Sequence, residues 1–293
     1  MTNRWWVGLA YLKRGLVLSR WAPRLYLSIT LVYMLPALLS AWLVSRDGRA
    51  ATWEQAAAVG LPWITIVLGT VVVMIAVGCH AHRRSVGLGE ATVYALSWLP
   101  RYLWTNVHTS IVFWGPIGVL LVLRGWQQQT LPVAGTAELG LNGLWWLLLG
   151  ATALYLHART LLAPFLAVHA DLPATLAALE AWRLSGRALV ACLSTLIVAS
   201  LPLVLPMLIL SMGVLLAPAA ELRRSLGSVL PELVTAAIQV VRPLLIPATY
   251  SLYTDLWEAE RARRRWQGAP PEPAPVRAVL KLTRLLPKLG RWP

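Results

Sequence analysis

The chain is poor in the residue sets from which catalytic or disulfide-stabilised proteins are built. Cysteine occurs twice, as Cys79 and Cys192 in separate apolar runs, so neither a disulfide framework nor a Cys-rich metal site is expected. Acidic residues number 12 against 26 Lys and Arg, and they do not gather with histidines into the converging set that a metal-dependent phosphodiesterase needs. A Gly-rich phosphate loop, a Gly-x-Ser-x-Gly elbow and a His-Glu-x-x-His pattern are all missing, which removes the motif-bearing hydrolases and nucleotide enzymes. The expectation is a protein that is not an enzyme and carries no cofactor. Charge of either sign is scarce as well: 13% of the 293 residues are charged and 58% are hydrophobic, with a mean hydropathy of +0.63. Such a chain cannot fold as a soluble globule without exposing apolar surface.

The chain is therefore expected to be an all-α integral membrane protein with six transmembrane helices. Apolar runs over 25–44, 58–79, 102–123, 139–162, 188–217 and 233–257 are each long enough to cross roughly 30 Å of hydrocarbon as a helix. Pro202 and Pro206 fall in the fifth run, and Pro243 and Pro247 in the sixth; there a kink or break is expected, because proline removes a backbone donor. Residues 1–24 read as an N-terminal interfacial amphipathic helix, 25–266 as the six-span domain, 267–275 as a Pro-rich linker and 276–293 as a basic amphipathic segment. Ser85 to Arg101 is too mixed to span and reads as a surface helix. The segment from Arg4 to Trp21 interleaves tryptophans with Lys13, Arg14 and Arg20 and lacks the clean apolar centre of a signal peptide.

Lys and Arg fall unevenly on the two sides of these spans. Arg46, Arg49, Arg124, Arg223 and Arg224 lie on one side and Arg242 lies within a span, while all the others of the 26 lie opposite. The positive-inside bias then puts both termini and both surface helices in the cytoplasm. A net charge of +14 beside hydrophobic spans is best matched by anionic lipid headgroups rather than nucleic acid. Most of the 16 tryptophans sit near span ends, as interfacial belts do; Trp145 and Trp146 lie deeper, where packing, lipid contact or a pocket lining are the options.

The stretch from Tyr155 to Arg187 organises the chain. It reads as the end of span four, a turn at Asp171 to Pro173, and an amphipathic helix to Gly186 whose apolar residues Leu172, Leu176, Ala178, Leu179 and Trp182 recur at helical spacing. Arg159 and Asp171 are expected to pair with each other or with Arg183. Arg242, with Gln239 before it and Pro243 after it, is the clearest intramembrane charge and is expected to face the bundle or a watery cavity. His80 and His82 sit in a basic turn and read as membrane-edge anchors. His108 and His157 are single histidines within spans: hydrogen bonding inside the bundle is the simpler role, and ligation of haem or a pigment stays open. At the C-terminus, Arg277, Lys281, Arg284, Lys288 and Arg291 repeat at helical spacing and form a basic stripe, expected to lie on an anionic membrane surface.

Three stretches carry a resemblance. Ser85, Gly87, Gly89, Glu90 and Ala91 with Leu99 and Pro100 follow span two; Ala178, Leu179, Trp182, Arg183, Leu184, Ser185 and Gly186 follow span four; Tyr253, Thr254, Asp255 and Leu256 close the last span. Together with the six-span layout, the chain resembles the bacterial integral membrane proteins related to the membrane domain of glycerophosphoryl diester phosphodiesterases, including the YciC-like proteins. The resemblance implies a helical domain in the bacterial plasma (inner) membrane, marks Asp255 as a candidate polar contact, and does not imply phosphodiesterase activity. Three functions compete as expectations, an enzyme acting on lipids coming third. The first is an accessory or scaffold subunit that binds another membrane protein, or a second copy, and/or anionic lipid. The alternative is a transporter or permease component for a lipid-like or small anionic substrate, suggested by Arg242 and the broken spans.

Overall fold

Hydrocarbon offers no partner to backbone N–H and C=O groups, so an apolar chain of this kind satisfies them within helices. The computed structural model describes residues 6–34, 52–130, 136–201 and 245–266, and those residues are helical with no strand among them. In chain order the helices are α1 (Val7–Arg20), α2 (Pro23–Ile29, continued by a π-helical turn, Thr30–Met34), α3 (Thr52–Ala81), α4 (Leu88–Thr130), α5 (Thr136–Thr160), α6 (Ala163–His169) and α7 (Ala174–Arg187). They are followed by α8 (Leu189–Leu201) and α9 (245–266).

Among the described residues, Ile64–Ala81 in α3, the whole of α4, and Gly140–His169 in α5 and α6 are long and apolar enough to cross a membrane. The pair α7 and α8, bent by 96°, adds a fourth if it is one broken span. Much of the expected first, fifth and sixth spans, with Gln239 and Arg242, lies outside the described residues, as do the linker and the basic stripe of Arg277, Lys281, Arg284, Lys288 and Arg291.

One boundary differs from the sequence expectation. Ser85 to Arg101 is not a separate surface helix: α4 runs unbroken for 43 residues through Pro100 and Pro116, a contour of about 65 Å and twice the hydrocarbon thickness. Glu90 stands in its first turn, where a negative charge suits the N-terminal end of the dipole. The mixed polarity that argued against a span belongs to the N-terminal part of one long helix, not to a separate helix.

The chain divides into two compact units, Met1–Leu99 with Ser194–Leu252, and Pro100–Leu193 with Tyr253–Pro293. In the first, α3 is buried on all sides at Val71, Val72, Val73, Ala76 and Val77, as expected of a uniformly apolar helix. Tyr26 Oη lies 3.3 Å from His80 Nδ1, and Tyr33 Oη lies 2.6 Å from Thr92 Oγ1. Helix α1 packs through Gly8, Tyr11, Gly15 and Ser19 and leaves Trp6, Leu9, Val17 and Trp21 outward. Small residues inward and large apolar residues outward is the pattern of helices packed in lipid, where close backbone approach rather than water exclusion drives association.

The glycines of α1 set that approach. A Cβ on Gly8 would run into the Ser194 carbonyl, and one on Gly15 would lie 2.5 Å from Ala248 N. Substituting Gly15→Val should therefore lower unfolding stability by about 1–3 kcal/mol, the cost typical of overpacking. Gly118, with nothing within 4 Å of its Cβ position, should accept Gly118→Ala with a gain of about 0.5–1 kcal/mol. Thermal unfolding of the two variants in one detergent checks the contrast.

Candidate functional site

In the second unit, α4 and α5 form an antiparallel pair. Ile117, Leu149 and Leu156 make its buried seam, with Phe113, Leu120, Ala153 and Trp182 against it. Near the C-terminal end of α4, Arg124 Nη2 donates to Asn142 Oδ1 at 3.2 Å, and its guanidinium lies 4.6 Å from the centroid of Trp146. Trp145 Nε1 donates to Gln127 Oε1 at 2.9 Å. The two deep tryptophans thus serve a polar layer, and Trp146 is largely exposed.

The opposite end of α5 carries a second polar layer, and it is built differently. Helix α5 ends at Thr160, leaving its last carbonyls without intrahelical donors. Buried Ser185 on α7 donates to the Arg159 carbonyl at 2.9 Å and is within 2.6 Å of the Ala181 carbonyl, fastening α7 beside the end of α5. The Arg159 side chain crosses α7 at Gly186, where a Cβ would strike its guanidinium. There the guanidinium lies 4.2 Å from the centroid of Trp182 and 5.8 Å from that of Tyr155, a cation–π arrangement.

The expected pairing among Arg159, Asp171 and Arg183 is not what forms. Asp171 adopts φ 57° in the turn before α7, a left-handed conformation that Asp tolerates better than most residues, and its carboxylate pairs with Arg101. Arg159 meets no carboxylate among the described residues. Arg183 turns instead to Glu180 at 2.9 Å and to Glu260 on α9 at 2.5 Å.

Glu260 is the hub. It is 4% exposed and accepts from Arg263 Nε at 2.9 Å and Nη2 at 2.8 Å, Arg264 Nε at 3.0 Å, Arg183 Nη2 at 2.5 Å and Arg187 Nη1 at 2.8 Å. Arg264 also reaches Glu180 at 2.7 Å. Hydrogen bonds from Arg263 lead in holding the Glu260 carboxyl down at about 2 against the opposing effect of burial, with Arg264 and the charge of Arg183 adding to them. Four guanidinium groups share two carboxylates, so the cluster keeps an excess of positive charge. Arg187 stands in the last turn of α7, where a cation suits the helix dipole.

The aromatic side of the same unit joins α6 to α9. Phe165, His169 and Tyr253 are mutually packed, with ring centroids 5.8 to 6.2 Å apart, and Asp255 is half-buried on α9. Of the expected site residues, Arg183 enters the Glu260 cluster, Arg159 lies beside it at Gly186, and Asp171 pairs elsewhere. Glu180, Arg187, Glu260, Arg263 and Arg264 are additions. Their signal was local: Glu180–Arg183 and Glu260–Arg263 are spaced three apart and Glu260–Arg264 four, the spacing of supporting helix pairs.

The histidines make local contacts. His82 Nδ1 lies 2.8 Å from the Gly78 carbonyl and His108 Nδ1 lies 2.9 Å from the Trp104 carbonyl, while His157 sets its ring edge-on to Phe113. No cluster of His, Cys, Asp and Glu suited to a metal occurs among the described residues. The chain matches no protein-family model, no curated protein and no solved structure.

Because the Glu260 carboxyl sits near 2 against an ordinary 4.5, its ionisation contributes stability in full above about pH 4.5, and that contribution is lost as pH falls through about 2. Glu260→Gln should cost about 2 kcal/mol near neutral pH, less than a fully buried pair because the arginines are part-exposed. The variant should also lack this part of the acid loss. Unfolding midpoints of both proteins between pH 7 and about pH 2 test the sign.

Proposed function

We propose that the chain is a six-span, multi-pass protein of the bacterial plasma (inner) membrane with both termini cytoplasmic. It acts without catalysis, as an accessory or scaffold subunit that binds another membrane protein and anionic lipid. The observation that carries this reading is the pair of polar layers at the two ends of α5. Asn142 and Arg159 are separated by about 25 Å along the helix axis, close to the hydrocarbon thickness of a bilayer, and Leu144, Leu147, Leu148 and Leu154 are exposed between them. Among the described residues one layer sets Arg124 against Asn142 and Trp146, the other carries an excess of arginine, and the basic layer suits the cytoplasmic side. The resemblance drawn from the sequence agrees with a helical domain of this kind.

Purification in a gentle detergent should bring down a stoichiometric membrane-protein partner together with anionic lipid. A lone monomer or homodimer, stabilised against heat by a small anionic solute, would replace this reading with the transport alternative. Orientation is checked separately. Cysteines introduced at Ser45 and Gln128 should react with a membrane-impermeant reagent in intact cells, and reaction only after the cells are opened would reverse the topology.

A further inference from the structure

The apolar periodicity expected on α7 does not mark its buried side. Its buried side is Ala174, Ala177, Ala181, Leu184 and Ser185, whereas Leu176 is 50% and Leu179 66% exposed. The outward positions continue along one stripe, Leu176, Leu179, Arg183 and Arg187, at spacings of three, four and four, which stay on one face at 100° per residue. The first two are aliphatic and the last two are arginines. An aliphatic end and a cationic end on one exposed stripe match an anionic amphiphile.

Charge balance points the same way. Glu180 and Glu260 neutralise two of the four arginines that contact them, and Arg159, crossing at Gly186, adds another cation with no carboxylate among the described residues. The side chains of Arg183, Arg187 and Arg263 are 39%, 48% and 39% exposed, so part of each remains accessible beyond its contact with Glu260. Guanidinium groups of this kind favour phosphate oxygens through paired, charge-assisted hydrogen bonds.

We propose that the exposed stripe of α7 is a binding site for one anionic phospholipid, its phosphate held by Arg183 and Arg187 with Arg159 beside them, and its acyl chains against Leu176 and Leu179. The site rests on the reading that the protein engages anionic lipid and gives that contact a place. Leu179 separates it from a plain phosphate site: a soluble phosphate ester uses only the arginine end, a lipid uses both.

The test uses the full-length protein in mixed micelles, with phosphatidylglycerol, phosphatidylcholine and soluble glycerol 3-phosphate as probes and native mass spectrometry with thermal midpoint as readouts. The unsubstituted protein should retain phosphatidylglycerol about tenfold better than phosphatidylcholine. Arg187→Gln, and independently Arg159→Gln, which breaks no ion pair among the described residues, should each lower that retention several-fold; Arg187→Lys should recover part of it and Arg124→Gln should leave it unchanged. Leu176→Ser with Leu179→Ser should weaken phosphatidylglycerol without altering the response to glycerol 3-phosphate. Equal retention by Arg187→Gln, Arg159→Gln and the unsubstituted protein would overturn this site while leaving lipid engagement intact. No preference for phosphatidylglycerol in the unsubstituted protein would remove the lipid reading itself.

Discussion

The charged end of the second unit depends on one carboxylate. Glu260 accepts from four arginines on two helices, and a carboxylate has about four lone-pair positions with which to do so. Without it, guanidinium groups from α7 and α9 would face one another at the edge of a low-dielectric layer, where like charges repel far more strongly than in water. The negative charge lets the two helix ends meet. Because it is outnumbered, the meeting point stays basic, and a surface both basic and bordered by aliphatic side chains suits lipid phosphate.

The rest of the packing follows from the solvent. In water a surface helix turns its large apolar side inward; α1 and α7 do the reverse, burying Gly8, Gly15, Ala177 and Ala181 and exposing Leu9, Trp21, Leu176 and Leu179. Lipid gives no reason to hide leucine, so backbone proximity and interhelical hydrogen bonds decide which face is buried. Ser185 on the Arg159 carbonyl and Gly15 beneath Ala248 are two outcomes of that rule. It also explains how α4 can be at once long, apolar and largely outward-facing at Ile111, Trp114 and Val122.

The polar layers at the two ends of α5 connect this packing to function. They differ in charge more than in architecture: each sets a guanidinium against a tryptophan ring, Arg124 on Trp146 and Arg159 on Trp182. Among the described residues the ionic network stands at the Arg159 end. A protein that holds its cations in such a network presents a fixed pattern of donors to its surroundings, the property on which the proposed accessory or lipid-organising role would draw.

By itself the sequence determined the solvent and the secondary structure. The runs at 58–79 and 139–162 reappear in α3 and α5, the turn at Asp171 separates α6 from α7, and α1 follows the N-terminal helix, because length and polarity against hydrocarbon are local properties of the chain. It also contained both halves of the charged cluster as Glu–Arg spacings on two helices. Tertiary structure alone decided that Arg183 joins Glu260 rather than Asp171 and that Arg159 lies on Trp182, since those partners are far apart in the chain and only helix packing brings them together. It also decided which face of α7 is buried. Helical periodicity marks that face as amphipathic but carries no sign, and the sign was set by the small residues that let α7 close on the end of α5.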